Sequence, residues 1–406
     1  EDNDFNKEEM LLGKDNQAIG EQTVAVILID LVNDNDEILP SVYEDAVFYN
    51  AHSINAFYSE SSYQQTWLEG DVFGWYHVSN SNACSLLDSE VFDIADADIN
   101  YLDYSRYIII FRNNPQCGGV GTSTFGKITV NTPDGEIIAS IARIYTDSIY
   151  IPYDSSLTMQ STIAHEFGHS LGITGHANAY DCGSVTLTNE VQNCEQKPLQ
   201  DLFDIMGFRQ YSSHHNACYK DRLGWLNQNV LNIYESGTYT IYSLEETLNS
   251  QIQTIKIDLD VPIPIANINN DPSVTISSYY FEYRKPIGFD ARLNNLMNGQ
   301  YTDPVDINGI LIHGAFYVNE FCSTTYLLDA SPESLPDWPD EISNVAAGDF
   351  ADSFLLIGNI FYDQYNHILI TPLGLTEDGG IEVSILMDIC MQDLDNDGIV
   401  GSQDLA

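Results

Sequence analysis

The feature that most constrains this chain is the segment 165–176, in which histidines and a glutamate follow one another at helical spacing. Residues four apart lie on the same face of a helix, so His165 and His169 can bind one metal ion. Glu166, one residue along, then points toward a water molecule in the next coordination position. This spacing is typical of catalytic zinc sites, and it makes Glu166 the candidate general base.

The local pattern predicts a helix that ends shortly before a third histidine. Apolar residues recur at three- and four-residue steps between 155 and 171, which is the period of a helix. Gly172 is the residue type expected immediately after a helix end. A turn there can bring His176 back toward the helix, so the sequence predicts His176 as a third nitrogen ligand.

Composition indicates a folded and strongly acidic protein. The 406 residues are 44% hydrophobic and 18% charged, which leaves room for two or three domains with ample cores. With 60 acidic and 14 basic side chains the formal net charge is −46, so we expect no binding to nucleic acid or to an anionic membrane through a basic surface. Most carboxylates are interpreted as a solvated surface, and some can bind calcium.

Cysteine usage favours an extracellular location. The seven cysteines never occur as Cys-x-x-Cys, which argues against a thiolate metal cluster and favours disulfides with one cysteine left over. Cys182 and Cys194 are the predicted pair, because both follow the metal helix closely. The longest apolar runs have the length of strands, which predicts no membrane span. A start without Met or an apolar leader fits a processed, exported protein.

Local composition and sequence pattern predict four regions. Residues 1–22 are polar and acidic and are interpreted as an arm or the remnant of a pro-segment. Residues 23–230 alternate strands and helices, which predicts an α/β (α+β) domain with a mixed sheet beside the metal helix. Short strands separated by Asn, Gly and Pro turns predict an all-β sandwich over 231–391, with scaffolding or substrate docking as its role. Residues 392–406 contain a calcium-binding pattern.

Within the second region several elements can be predicted individually. The nearly continuous β-branched run 23–32 predicts a buried central strand, and a helix over 40–59 and a strand over 66–77 follow. A hairpin over 127–145 leads to the metal helix, and the free edge of its last strand could pair with an extended peptide. Residues 177–202 are interpreted as a long polar loop that shapes a cleft.

The C-terminal tail matches a calcium-binding loop. Oxygen ligands occupy positions 1, 3, 5 and 12, a glycine at position 6 permits the sharp turn, and a backbone carbonyl serves at position 7. The predicted calcium ligands are Asp393, Asp395, Asp397, the carbonyl of Ile399, and Asp404. The alternative is an acidic frayed terminus, because the sequence reaches Ala406 before a full second helix.

Four further histidines lack the spacing of metal ligands. They are interpreted as ordinary structural histidines, and they are His52, His77, His313 and His367.

Taken together, these motifs resemble a known group of enzymes. The pattern of the metzincin clan of zinc endopeptidases, in which a methionine turn lies beneath the metal, is matched by His165, Glu166, His169, Gly172, His176 and Met206. Within the clan the chain is most similar to the gametolysin-like peptidases and their bacterial relatives, over about residues 23–390. The supporting stretches are 24–32, 53–58, 70–76, 176–182, 203–207 and 216–226, with weaker similarity at 280–288 and 327–332. The tail resembles one half of a dockerin-type repeat.

The third ligand departs from the metzincin pattern. That pattern has two residues between the glycine and the third histidine, whereas Ile173, Thr174 and Gly175 make three here. Either the extra residue bulges out at Gly175 and His176 still binds the metal, or the third ligand is another group and the site is altered.

The resemblance implies a secreted zinc endopeptidase that hydrolyses peptide bonds of extracellular proteins, with Glu166 as general base. Met206 would form a packing floor under the site, and Tyr211 is a candidate to assist the oxyanion. The alternative, from a different class, is an extracellular surface or filament assembly protein that uses a protease-like fold structurally. The expected partners are a protein or peptide substrate in the first case, and self-association or a calcium-dependent module contact in the second.

Overall fold

The computed structural model describes residues 17–31, 39–78, 86–112, 119–145, 159–188, 190–208, 213–246, 251–265, 274–293, 305–334 and 348–388. They fall into two compact units. Unit 1 contains the described residues up to Thr174 together with Leu223–Trp225, and unit 2 contains the others, from Gly175 onward. Strands outnumber helices in this part of the chain and form three sheets, so the predicted mixed α/β character is confirmed.

Unit 1 is built on one mixed sheet. Its strands in the described residues are β1 (Gly20–Asp30), β2 (Thr66–His77), β3 (Arg106–Arg112), β4 (Gly121–Ser123), β5 (Ile128–Thr132) and β6 (Gly135–Ile144). They lie in the order β2-β1-β3-β6-β4, and β5 also pairs with β6. The strands β2, β1, β3 and β6 are parallel, while β4 and β5 are antiparallel to β6.

The central position of β1 follows from its sequence. All side chains from Val24 to Ile29 are fully buried, as expected for an apolar strand covered on both faces. β1 begins at Gly20, so residues 20–22 belong to the strand and not to the predicted arm. The strand predicted over 66–77 and the hairpin predicted over 127–145 are also confirmed.

Four helices pack with this sheet in the described part of unit 1. They are α1 (Pro40–Glu44), continued by a π-helical turn (Asp45–Tyr49), α2 (Ile54–Ser61), α3 (Asp88–Ala95) and α4 (Met159–Ser170). The prediction of one helix over 40–59 is wrong, because the chain leaves the helix near its middle. There Asn50 Oδ1 accepts the N–H of His52 at 2.8 Å, and Ser53 Oγ accepts the N–H of Ala56 at 3.0 Å. These side chains satisfy backbone groups locally and start a new helix.

Unit 2 contains the remaining strands and one further helix in the described residues. They are β7 (Ala177–Asp181), β8 (Glu195–Lys197), α5 (Ala217–Arg222), β9 (Val230–Asn232), β10 (Gly237–Ile241), β11 (Thr254–Pro264), β12 (Thr275–Glu282), β13 (Gly309–Val318), β14 (Phe321–Leu328), β15 (Leu355–Leu356), β16 (Phe361–Asp363), β17 (Ile368–Leu375) and β18 (Ile381–Leu386). One sheet has the order β8-β7-β14-β13-β12-β11-β9, with β15 beside β13, and the other has the order β10-β18-β17-β16. Side chains of both sheets, such as Ile312 and Ile370, belong to one hydrophobic cluster. The prediction that 231–391 is rich in strands is therefore confirmed for the described residues of this range.

The segment 177–202 is not the polar loop predicted from its composition. β7 pairs in parallel with β14, and β8 is antiparallel to β7. The predicted disulfide between Cys182 and Cys194 is present and joins the segments that follow β7 and precede β8. Because β7 pairs with β14, unit 2 begins at Gly175, whereas the predicted domain boundary lies at 230/231.

A second disulfide, which the sequence did not predict, links Cys218 of α5 to Cys322 of β14. The other three cysteines, Cys84, Cys117 and Cys390, lie outside the described residues. None of the helices found in the described part of the chain has the length and apolar character needed to cross a membrane.

Candidate metal centre

Helix α4 carries two of the predicted ligands through the interior of unit 1. His165, Glu166 and His169 are 2%, 3% and 4% exposed. The hydroxyl of Tyr58 on α2 donates to the Ala164 carbonyl at 2.5 Å, which fixes the two helices to each other. The polar side chains of α4 are thus buried among largely apolar residues. Buried polar groups of this kind need hydrogen-bond or metal partners.

A buried arginine closes the C-terminal end of α4. Arg106 on β3 donates to the carbonyl of Ser170, the last residue of the helix, and to Ser140 Oγ at 3.2 Å. Burial lowers the pKa of Arg106 to about 9, so the guanidinium remains charged at neutral pH. A cation is favourable at a helix C-terminus because it binds the last carbonyls and opposes the negative end of the helix dipole.

A glycine turn ends α4 and redirects the chain. The Gly172 N–H donates to the His169 carbonyl at 2.8 Å, and the Ile173 N–H donates to the Gly168 carbonyl at 3.1 Å. These are the two hydrogen bonds of a Schellman motif. Gly172 has a φ of 116°, a conformation that favours glycine. The helix end predicted from Gly172 is therefore confirmed.

Three histidines form a candidate metal-binding group, of which two lie on α4 and the third follows the helix. The ring centroids of His165 and His169 are 5.0 Å apart. One ring nitrogen from each of these residues and one from His176 all lie within 4.8 Å of one another. His176 is partly exposed, whereas the other two are buried. The group could hold a metal ion.

The ring of His169 is oriented by a backbone acceptor. Its Nδ1 lies 2.7 Å from the carbonyl oxygen of Ile173. A carbonyl can only accept, so Nδ1 carries the proton and Nε2 presents the lone pair that a metal ion requires. Metal-binding histidines commonly donate their other N–H in this way. Phe125 packs edge-on against the same ring, with centroids 5.3 Å apart.

The extra residue before His176 is accommodated by close packing within unit 2. A Cβ atom at Gly175 would overlap the carbonyl of Ser323 and the hydroxyl of Thr324 on β14. The His176 carbonyl accepts the N–H of Thr325 at 3.2 Å, just before the β7–β14 pairing begins. Gly175 therefore packs closely against β14, and the role of His176 as third ligand stays a prediction.

Glu166 lies against the edge strand β4. A Cβ atom at Gly121 would lie 2.7 Å from Oε1 of Glu166 and 2.8 Å from its Cγ, which is closer than side chains normally pack. The missing side chain at Gly121 therefore leaves the space that the Glu166 carboxyl group occupies. β4 is the last strand in the order of the described strands of unit 1.

The segment around Met206 lies next to β7 in unit 2. The Met206 carbonyl accepts the N–H of Ala177 at 3.1 Å, and its side chain is fully buried. Asp204 shapes the segment, since its two oxygens accept the N–H groups of Met206 and Asn216, each at 2.6 Å. Burial and the negative charge of Asp201 raise the pKa of Asp204 to about 8. Met206 is a packing residue of unit 2, and its place beneath a metal stays a prediction.

A buried charge network fixes the same segment. His313 Nε2 lies 2.9 Å from Asp201 Oδ2, and its Nδ1 lies 3.4 Å from Glu282 Oε1. Arg284 pairs with Glu282 at 3.0 Å and donates to the Phe203 carbonyl at 3.1 Å. Burial lowers the pKa of His313, but the carboxylates of Glu282 and Asp201 raise it more, so the pKa lies above its ordinary value.

Sequence reasoning missed several residues that shape this region. Arg106, Gly121 and the charge network carry no local pattern, because their partners are distant in the chain. His313, which the sequence analysis interpreted as a structural histidine, is part of that buried network. Tyr211 and the predicted calcium ligands Asp393, Asp395, Asp397, Ile399 and Asp404 lie outside the described residues.

Comparison with known proteins adds no relative. No protein-family model matches the chain, and no curated protein matches its sequence. The function is therefore argued from the site itself, because a fold class alone does not define an activity.

Proposed function

We propose that this chain is a zinc-dependent endopeptidase of the metzincin type, similar to the gametolysin-like peptidases. The observation that carries the proposal is the group of three imidazoles within 4.8 Å, with Glu166 beside His165 on the same buried helix. Structural zinc sites usually have four protein ligands, whereas catalytic sites have three and an open position. The three imidazoles, with a glutamate directly after the first of them on the helix, therefore favour catalysis.

Zinc is the metal that this donor set favours. Neutral imidazole nitrogens suit zinc, whereas calcium and magnesium prefer oxygen ligands. The hydrogen bond from His169 Nδ1 to Ile173 supports the same assignment, because it selects the tautomer that can ligate through Nε2. When bound, zinc polarises a substrate carbonyl and lowers the pKa of a coordinated water toward about 7.

Glu166 performs the proton transfers in the proposed reaction. Its carboxylate takes a proton from the attacking water and delivers it to the amine of the departing peptide. The side chain is 3% exposed and is confined by the backbone at Gly121, which limits the positions the carboxylate can take. Restricting the base to one orientation favours proton transfer over unproductive arrangements.

The last strand of the hairpin, β6, does not have the predicted free edge, because it pairs with β3, β4 and β5. We propose the edge of β4 as the docking site for substrate instead. An extended peptide can add to an exposed strand edge through backbone hydrogen bonds, and β4 lies beside the Glu166 carboxyl group. Binding through the backbone suits a protein substrate, because every peptide offers the same groups.

An extracellular location is proposed from the disulfides. Cys182–Cys194 and Cys218–Cys322 would be reduced in the cytosol of most organisms and persist in oxidising compartments. The two sheets of unit 2 that share a core are proposed as a β-sandwich with a scaffolding or docking role. The tail segment 393–404 is proposed to bind calcium.

The test compares Glu166→Gln with Glu136→Gln, an exposed glutamate of unit 1. We expect both variants to retain about one zinc per chain by metal analysis, because neither changes a ligand. Hydrolysis of an unfolded protein substrate such as casein is expected to fall by about 10²–10⁴-fold in Glu166→Gln, which loses its general base, and to stay unchanged in Glu136→Gln.

Two results would contradict the proposal. Full activity in Glu166→Gln would remove Glu166 from the mechanism. A zinc-loaded wild-type protein that cleaves none of a panel of unfolded proteins would favour the surface or assembly protein instead.

A further inference from the structure

A group of acidic side chains lies in unit 2 and shares no residue with the histidine group. The loop 329–334 follows β14, and a short 3-10 helix (Asp349–Asp352) precedes β15. The Ala330 N–H donates to the Ser353 carbonyl at 3.4 Å, which places the two segments side by side. Each contributes carboxylates to the same position, and these are Asp329, Asp349 and Asp352.

Asp329 is buried with one oxygen unused. Its side chain is 4% exposed. Its Oδ1 accepts the Ser331 N–H at 2.8 Å, whereas Oδ2 is buried and has no hydrogen-bond partner. A buried polar atom without a partner costs free energy unless something binds it, so Oδ2 of Asp329 points to a missing ligand.

Asp352 shows the same pattern. Its Oδ2 accepts from the Ser334 hydroxyl at 2.5 Å, while Oδ1 is buried without a partner. In the described part of the chain neither Asp329 nor Asp352 forms an ion pair. Asp329 and Asp352 therefore each have one buried oxygen without a hydrogen-bond partner.

Asp349 is the third carboxylate of the group, and the three negative side chains together indicate that the missing ligand is a cation. Its Oδ2 accepts the Glu333 N–H at 3.1 Å, and its carboxyl group lies within hydrogen-bonding reach of Asp329. Burial, together with the negative charges of Asp349 and Asp352, raises the pKa of Asp329 to about 8. Burial likewise raises the pKa of Asp352. A cation would stabilise carboxylates that lie this close together.

We propose that Asp329, Asp349 and Asp352 bind a calcium ion. All the donors are oxygens, which suit calcium and not zinc. Calcium accepts six to eight oxygens at about 2.3–2.6 Å in flexible geometry, so donors on opposite sides of the ion lie about 5 Å apart and backbone carbonyls or waters complete the shell. The site is distinct from the histidine group and from the predicted tail loop, and it does not depend on the proposed peptidase activity.

The ion is expected to join the loop after β14 to the segment before β15. Without it, the folded protein must either protonate Asp329 or bear the repulsion of neighbouring charges.

The experiment uses the full chain carrying Asp395→Asn and Asp397→Asn, which removes the predicted tail site. This parent protein is dialysed against calcium-free buffer that contains zinc, and calcium binding is measured by equilibrium dialysis. We expect about one calcium per chain. Thermal unfolding should shift upward by on the order of 5 °C when free calcium reaches about 100 times its Kd, and magnesium should give a smaller shift.

Asp329→Asn in this parent should lose the bound calcium and the thermal shift. Without calcium it should unfold at the same temperature as the parent or higher, because the uncharged amide adds no repulsion beside Asp349 and Asp352. Asp260→Asn, an exposed position on β11, is the matched control and should respond to calcium as the parent does. If Asp329→Asn does not fold, Asp352→Asn is expected to show the same loss of calcium response.

Other results would overturn the proposal. A parent protein that binds no calcium would show that Asp329 is satisfied by a proton alone. A parent that binds calcium, with an undiminished response in both Asp329→Asn and Asp352→Asn, would place the ion elsewhere.

Discussion

At the scale of single residues, Gly121 and Gly175 matter because each leaves room for a neighbour. At Gly121 the room is occupied by the Glu166 carboxyl group, and at Gly175 by the backbone and side chains of β14. Neither glycine has a positive φ, in contrast to Gly172. Lack of space, and not backbone conformation, is therefore what requires glycine at these two positions.

Gly121→Ala is expected to impair the proposed peptidase while leaving the metal bound. The added methyl group would lie 2.7 Å from Glu166 Oε1, so the carboxylate must move. Displacing a catalytic group by about 1 Å can cost about 10²-fold in rate, and we expect kcat to fall by about that factor with little change in KM. The kcat–pH profile should also shift, because the base moves to a new environment.

Gly119→Ala is the matched control for this experiment. The nearest atom to a Cβ at Gly119 is the Gly121 carbonyl oxygen at 3.8 Å, an ordinary contact. Unchanged kcat in Gly121→Ala, or an equal loss in both variants, would contradict the positioning role of Gly121.

At the scale of elements, structure that follows local rules could be predicted and long-range pairing could not. Helix α4 and its end at Gly172 follow from spacing and residue type within a few turns. The strand β7 was mistaken for a loop because its partner β14 lies far along the chain, and hydrophobicity alone does not reveal a strand whose pairing is distant. For the same reason the sequence could not show that Gly175 packs against β14.

The two disulfides of unit 2 should differ in their contribution to stability. Cys218–Cys322 closes a loop with a sequence separation of 104, and Cys182–Cys194 one of 12. A crosslink stabilises mainly by restricting the unfolded chain, and more so for longer loops. Replacing the first pair by alanines should lower the free energy of unfolding by about 2 kcal/mol more than replacing the second pair.

Chemical unfolding of the two double variants measures this difference directly. Both pairs are nearly buried and lie in the same unit, so the second variant controls for the loss of sulfur packing. Equal losses, or a larger loss for the shorter loop, would show that native packing around the sulfurs outweighs the effect of loop length.

At the scale of the whole molecule, several of the few basic side chains are buried in the interior. Only 14 Lys and Arg accompany 60 acidic residues, and Arg106, Lys220 and Arg284 are fully buried. Burial lowers the pKa of Lys220 to about 7, so even its charge is incomplete at neutral pH. Buried carboxylates outnumber these buried cations in the described residues, but the formal net charge of −46 still leaves a strongly negative surface, where repulsion between carboxylates opposes the compact state.

Salt should therefore stabilise the folded protein at neutral pH. Raising NaCl from about 0.01 M to about 1 M shortens the Debye length from about 30 Å to about 3 Å, so repulsion between exposed carboxylates is screened. We expect Tm of the metal-free protein to rise with NaCl at pH 7, where the formal net charge is −46, and KCl to act equally. Near pH 4, close to the isoelectric point of 4.1, the same salt should change Tm little, because little net charge remains. An equal rise in Tm at both pH values would contradict this prediction. It would mean that the salt strengthens the burial of apolar groups and that repulsion on the acidic surface does not lower the stability of the folded protein.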